Sequence, residues 1–291
     1  MSVQSARIPA SLAHSPVRFL PKLTASSKTG YSLGRVELEL TNLAAVVGGA
    51  SRGLGAASAE CLAGEGARVA VISRDADRLR ATADRIGGVA VPADLSTPAE
   101  AAAAVERAAA ELGALDVLVV NSGAPPRGSF AALGDGEWAS AIDGTLLSAI
   151  SMIRAALPHL RRSSCASIVI VLAASVRVPL PNLAASNVLR PGLNGLIKTL
   201  ASELAPSIRI NGASPGRVHT EGADELDALF ATAEGVGVDR IRARFEASIP
   251  LGRYGRPAEF GRLLTFLASP AASYLTGQVV SADGGMVRSL P

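Results

Sequence analysis

The sequence predicts an α/β protein built on one parallel, doubly wound sheet, and three observations carry that prediction. Short apolar runs, each long enough for a buried strand, alternate with longer stretches of helical periodicity. The first run, Ala44-Ala45-Val46-Val47, stops at the glycine-rich turn Gly48–Gly55 and passes directly into an Ala-rich stretch. Polar residues and glycines gather where the later strands end, which is where open sheets of this kind place their ligands.

Taken in order, Gly48-Gly49 supplies the backbone freedom for a tight turn, and Gly53 and Gly55 open the helix AASAECLAGEG. A strand, a glycine turn and a helix N-terminus together make an anion cradle, because free N–H groups and the positive end of the helix dipole converge there. Ala67–Ile72 reads as the second strand, Asp75–Ile86 as a helix, Val89–Val91 as the third strand and Pro98–Leu112 as a helix. Leu115–Val120 is the fourth strand. Trp138, Ile142, Leu146, Ile150, Ile153 and Leu157 then fall at helical spacings on one long helix ending near His159. Ile168–Leu172, Ser207–Ile210 and Gln278–Val280 complete a seven-stranded sheet. No internal repeat is present beyond the βα alternation.

The 291 residues suit one α/β domain, 36–291, behind an N-terminal extension, 1–35. That extension is rich in Ser, Pro and Arg and has no acidic residue. Such a composition fits a targeting segment, but Pro9, Pro16 and Pro21 spoil an amphipathic helix and favour a disordered tail or a start assigned too far upstream. Its five basic residues, Arg7, Arg18, Lys22, Lys28 and Arg35, account for the net charge of +3: of 28 basic residues 23 remain for the rest, against 25 acidic ones. A near-neutral body with 3% aromatic residues argues against nucleic acid as a partner. No apolar stretch approaches the ~20 residues that cross a bilayer, so no membrane association is expected. Two cysteines, Cys61 and Cys165, make no disulfide framework and fit a reducing, cytoplasmic setting. No Cys/His spacing suggests a metal.

Asp94-Leu95-Ser96 follows the third strand, Asn121-Ser122-Gly123 the fourth, and Pro215-Gly216-Arg217-Val218-His219-Thr220 the sixth. With the glycine turn, Pro250-Leu251-Gly252-Arg253 and Thr276-Gly277-Gln278…Asp283-Gly284-Gly285, these resemble the short-chain dehydrogenase/reductase superfamily from about Val36 to Leu290. The likeness is strongest to a divergent branch similar to 3-oxoacyl-carrier-protein reductases. It implies a Rossmann-like domain and a nicotinamide dinucleotide. Gly49, Ser51, Gly53, Leu54 and Gly55 would cradle the diphosphate. Asp94 and Leu95 would meet the adenine, Asn121, Ser122 and Gly123 the adenosine ribose, and Pro215, Gly216, Val218 and Thr220 the nicotinamide side. Gly48 departs from the family, which usually has Thr there.

An acid at the end of the second strand would favour a free ribose 2′-hydroxyl. Here that position is Ser73, followed by Arg74, with Arg52 in the glycine turn. Two guanidinium groups and no carboxylate suit a 2′-phosphate, so NADP(H) is expected over NAD(H).

The chemistry that the resemblance implies is altered. The family donates a proton from a Tyr, lowers its pKa with a Lys four residues later, binds the carbonyl with a strand-end Ser and orders water with an Asn. Counting from Leu193–Leu200, these positions fall on Ser186, Arg190, Ala173 (with Ser175 two residues on) and Thr145. An aliphatic hydroxyl is a far poorer acid than a phenol of pKa ~10, and general acid help is worth about 10²–10⁴-fold. Pro191-Gly192 further predicts that the helix kinks or begins at Pro191, which would take Ser186 and Arg190 off the family positions; the alternative is an unbroken helix with Arg190 in place. Arg127, Ser175, Arg177, Asn187, Arg217 and His219 are expected to face the pocket, which suggests an anionic small-molecule substrate; the alternative is a solvated rim paired with Asp224 and Glu225.

Three functions stay open at this point: a divergent NADP(H)-dependent oxidoreductase on a carbonyl or alcohol, a cofactor-binding protein without turnover, and a dehydratase, isomerase or cyclase on the same scaffold. By the family's assembly, helices 137–160 and 182–204 would pair in a homodimer or homotetramer.

Overall fold

Apolar runs buried on both faces explain the sheet in the computed structural model, which describes residues 37–289. Its strands are β1 (Ala44–Gly48), β2 (Arg68–Ser73), β3 (Val89–Pro92), β4 (Val117–Val120), β5 (Ser167–Val171), β6 (Arg209–Pro215) and β7 (Val279–Ala282). All pairings are parallel, in the order β3-β2-β1-β4-β5-β6-β7. The strand order reverses beside β1, so a crevice opens between the carboxyl ends of β1 and β4.

The helices are α1 (Gly53–Gly64), α2 (Ala76–Ile86), α3 (Pro98–Leu112), α4 (Asp135–Ala141), α5 (Ser148–Leu160), α6 (Ala184–Glu203), α7 (Glu221–Glu234), α8 (Val238–Ser248) and α9 (Pro257–Ala268). Successive strand residues point to opposite faces. Ala44 and Val46 pack with Val105 of α3, Met152 of α5 and Ile197 of α6. Ala45 and Val47 pack instead with Leu62 of α1, Leu79 of α2 and Phe260 of α9. Burial on both faces is why these strands read as continuous apolar runs without alternation.

The structure departs from the sequence expectations in several places. The long helix is interrupted by a π-helical turn, Ile142–Leu147, between α4 and α5. The successive four-residue steps from Trp138 through Ile142 and Leu146 to Ile150 are wider than about 3.6 residues per turn and take up the extra residue; Gly144 inside the pattern is a second local sign. The run Asp135–Leu160 is also long and apolar enough, by composition, to cross a membrane, contrary to the expectation that no stretch is. Met152, Ile153, Ala156 and Leu160 of that run are buried in the sheet core. The sixth strand begins at Arg209 rather than Ser207 and runs on through Pro215, paired on both sides.

The helix does not begin at Pro191. It starts at Ala184 and runs through the proline, with Arg190 helical. Pro191 forfeits only the bond to the carbonyl four residues back. Against that loss, Leu193 and Ile197 are buried in the sheet core and Leu189 packs with Leu133 and Ala141. The expectation for residues 1–35 lies outside the described residues.

Two polar clusters hold the C-terminal third in place. The Arg209 guanidinium donates to the carbonyls of Leu267, Ala268, Ser269 and Leu275, at 2.9–3.4 Å. It thus places a cation on the negative end of α9, while burial pulls its pKa down. In the second cluster the fully buried Asp227 of α7 accepts from Arg217 Nη1 at 2.7 Å and from the Tyr254 hydroxyl at 3.0 and 3.1 Å. The Arg217 guanidinium also lies over the Phe245 ring of α8, 3.2 Å from its centroid. The strand-end loop, α7 and α8 are joined through one carboxylate and one guanidinium.

Replacing Arg209 with Met removes charge-assisted bonds and leaves carbonyls unpaired. Denaturant titration should show a loss of about 2 kcal/mol, and calorimetry a fall in Tm of about 4–8 °C. Burial, reinforced by Asp227, pushes the Tyr254 phenol from 10.0 up to about 12. A raised pKa in the folded state means that this group's share of stability is complete below pH 10 and is lost as pH rises from 10 to about 12. Stability measured across that range should fall in the wild type and fall less in Tyr254→Phe.

Candidate functional site

The crevice beside β1 is a cavity of about 590 Å³, and ten of the residues singled out from sequence come together in its lining: Gly49, Ser51, Arg52, Ser73, Arg74, Asp94, Leu95, Asn121, Ser122 and Gly123. They arrive from four different strand ends, which the parallel register of β1 to β4 brings level.

The glycine turn forms the floor. Gly49 and Gly53 have φ of +57° and +60°, a conformation that side chains disfavour. A Cβ on Gly49 would stand 2.6 Å from the Asn121 carbonyl oxygen, and one on Gly55 would overlap the Gly49 carbonyl. Asn121 Nδ2 donates to the Gly48 and Gly49 carbonyls at 3.1 and 3.2 Å, pinning the turn to the end of β4. At the start of α1 no side chain caps the amides, since the N-cap residue is Arg52 and the first turn holds no acid. Open amides, a positive helix end and a main chain without Cβ obstruction form a site fitted to a diphosphate.

The walls are polar. Ser73 donates to Ser51 Oγ at 2.9 Å, tying β2 to the turn. The Ser96 amide donates to Asp94 at 2.9 Å and, with the Ser96 hydroxyl and the Arg74 charge, holds the Asp94 carboxyl below its usual range. Ser96, from the Asp94-Leu95-Ser96 motif, also lines the cavity, as do Ser140 and Gly144, which were not singled out from sequence. Ser140 precedes the π-helical turn and Gly144 lies within it, and the turn presents the buried Thr145 to the same space.

The other expected residues lie outside this lining. Gly53, Leu54 and Gly55 form the first turn of α1. Thr220, which caps α7 by accepting from the Ala223 amide, stands over Gly53. Pro215 ends β6, and Gly216 packs against Asp283 so closely that a Cβ there would lie 2.6 Å from the Asp283 Cα. Val218 faces a second cavity, about 580 Å³, with Arg217, Pro250 and Gly284.

Ser186 lies in the first turn of α6 and Arg190 one turn on, both buried. Ser186 Oγ is 2.9 Å from Ser175 Oγ, which also lies within bonding distance, 3.3 Å, of the Ser186 carbonyl. Arg190 donates from Nη1 to the Val171 carbonyl at 2.6 Å, its Nε has no partner, and burial lowers its pKa to about 10. Neither residue is among those lining the 590 Å³ cavity.

Several groups expected at the pocket are committed elsewhere. Arg127 donates to the Gly222 carbonyl at 3.0 Å, Asn187 bonds both backbone groups of Leu180, and Arg217 is held by Asp227. Exposed His219 stacks beside Tyr254 with ring centroids 5.1 Å apart. Among the described residues no cluster of three or more His, Cys, Asp or Glu is placed to hold a metal.

Comparison with known proteins gives the frame its family. Residues 49–287 match the family model for enoyl-(acyl carrier protein) reductase. The chain is 35% identical to an oxidoreductase of Methylorubrum extorquens over 255 residues, 85% of this chain and 99% of the relative. It is 36% identical to the short-chain reductase NovJ of Streptomyces niveus (83% and 92% covered) and 31% identical to the 3-oxoacyl-[acyl-carrier-protein] reductase FabG of Salmonella typhimurium (83% and 96%). Among solved structures it superposes on L-sorbose reductase from Gluconobacter frateurii complexed with NADPH and L-sorbose, with TM-score 0.82, 27% identity and 88% and 100% of the chains covered. Actinorhodin polyketide ketoreductase with NADPH gives 0.80, 28%, and 84% and 97%. A seven-stranded parallel sheet wound around this glycine turn, matched over almost the full length of each relative, makes the chain a member of the short-chain dehydrogenase/reductase superfamily.

Proposed function

We propose that the chain is an NADP(H)-dependent oxidoreductase acting on a carbonyl or alcohol through a non-standard active site. The observation that carries the cofactor preference is the composition of the cleft rim. Ser73 closes β2, Arg74 and Arg52 flank it, and the strand end offers no carboxylate to a ribose 2′-hydroxyl. The NADPH complexes of L-sorbose reductase and actinorhodin ketoreductase, similar to this chain throughout, support the same cofactor.

In this reading the turn from Gly49 to Gly55 holds the diphosphate, and Asp94, Leu95, Asn121, Ser122 and Gly123 hold the adenosine half. Pro215, Gly216, Val218 and Thr220 border the nicotinamide half. The nicotinamide supplies or accepts hydride. Ser186 is the candidate proton donor: its hydroxyl lies 2.9 Å from Ser175 Oγ, a pair in which either hydroxyl can donate. Arg190 contributes a fixed positive charge behind it, anchored to the end of β5. Without an acidic phenol, turnover is slow, by the ~10²–10⁴-fold that general acid catalysis is worth.

A second reading, cofactor binding without turnover, is favoured by one observation. Among the described residues the buried tyrosine, Tyr254, is bonded to Asp227, and the lysine, Lys198, lies beside Gly277. Neither group is placed to serve the cleft. Under either reading the chain takes a small molecule. The anionic substrate, the homodimer or homotetramer and the cytoplasmic setting belong to this proposal and rest on sequence alone.

Fluorescence titration should show NADPH binding more tightly than NADH. Arg74→Ala should weaken NADPH about tenfold or more and leave NADH nearly unchanged, because a charge-assisted bond to phosphate is lost. Absence of NADPH binding overturns both readings. With a panel of ketones and acyl thioesters, slow loss of NADPH absorbance that Ser186→Ala abolishes supports the oxidoreductase; binding with no oxidation on any substrate supports the second reading.

A further inference from the structure

Of the two arginines that line the cleft, Arg52 is not free. Arg52 Nη1 donates to Glu221 Oε2 at 2.6 Å and to Glu225 Oε1 at 3.2 Å. Arg78, in the first turn of α2 and four residues beyond Arg74, donates from its Nη1 to the same Glu221 oxygen at 2.7 Å. One carboxylate oxygen at the start of α7 is therefore shared by two guanidinium groups that come from α1 and α2. On the other side Arg127 holds the same turn of α7, through the Gly222 carbonyl. The groups are about half exposed, with side-chain accessibilities of 47%, 51% and 54% for Arg52, Arg78 and Glu221.

We infer that Glu221 is a cofactor-selectivity residue: its carboxylate, braced by Arg78, is an internal competitor for Arg52, which with Arg74 would otherwise take a 2′-phosphate. This rests on the reading that an adenine dinucleotide fills the cleft. Two guanidinium groups converging on one oxygen is the arrangement that a phosphate monoester recruits. A phosphate brings nearly two charges and three acceptor oxygens against the carboxylate's one charge, so it wins the exchange but must undo these contacts first. A ligand with a bare 2′-hydroxyl leaves Arg52, Arg78 and Glu221 as they are. Glu221 accordingly narrows the gap between the two cofactors. Displacing it also frees the first turn of α7, the helix that Asp227 ties to the strand-end loop.

Adenosine 2′,5′-bisphosphate and adenosine 5′-monophosphate probe this by calorimetry without any redox step. Because exposed ion pairs are worth little singly, Glu221→Gln should tighten the bisphosphate by about three- to tenfold and leave the monophosphate within about twofold. Glu234→Gln removes the same charge from the far end of α7, where Glu234 pairs with Arg244, and should change neither nucleotide. Glu221→Asp keeps an acid at the helix N-terminus while withdrawing it from the arginines, and should act in the same direction should the Gln variant fold poorly. Tightening of both nucleotides alike, no change, or weakening of the bisphosphate overturns the inference while leaving the cofactor reading intact. Failure of the wild type to bind NADPH or either nucleotide overturns that reading and this inference together.

Discussion

The crossing of two main-chain segments at the end of β1 governs the rest of the molecule. Gly49 and Gly55 bring their backbones closer than any Cβ permits, and Asn121 ties the same turn to β4 through both of its carbonyls. That contact fixes where α1 starts, how its amides are aimed and how far the ends of β1 and β4 stand apart. A side chain at either glycine would force the turn open and move the helix off the strand. The cleft is a consequence of the topology, but its floor is a consequence of these three residues.

Much of this was legible because it is local. A buried strand, a glycine turn and a helix follow one another within about twenty residues, and α3 has the bounds expected for it, Pro98–Leu112. Ten of the expected cofactor residues share one cavity because each sits immediately after a strand, and parallel strands place those ends on one side. What the sequence hid is non-local or a matter of register. The π-helical turn is absorbed by four-residue apolar steps that an ordinary helix also tolerates. Pro191 left two outcomes open, and the continuous helix prevailed over a start at the proline because Leu193 and Ile197 pack on the sheet. Arg78 gave no signal at all, since its meaning depends on Glu221, 143 residues away.

The cleft rim and the buried group around Ser186 are built on different principles. At the rim Arg52, Arg78 and Glu221 are about half exposed and paired with one another, and such pairs are worth little singly. Outside the cleft lining, Ser175, Ser186 and Arg190 are buried, the two hydroxyls bonded to each other and the guanidinium to the backbone of β5. Arg190 carries a charge there without a carboxylate beside it, and burial is what drags its pKa down. A buried guanidinium holding a carbonyl is a rigid strut, and an arginine cannot trade protons at neutral pH as a lysine can. The exposed pairs can exchange partners at little cost, whereas the buried group is held in place by packing.

Helix α7 joins these two regimes. Its first turn reaches the arginines of α1 and α2 through Glu221, and one face further on it buries Asp227 against Tyr254 and Arg217. The second attachment is buried and doubly bonded, so it is the one that holds when the first is exchanged. Thr220 caps the first turn of α7 and stands over Gly53, so the same helix end also meets the glycine floor. The rim arginines, the glycine floor and the loop after β6 are therefore all joined through one helix.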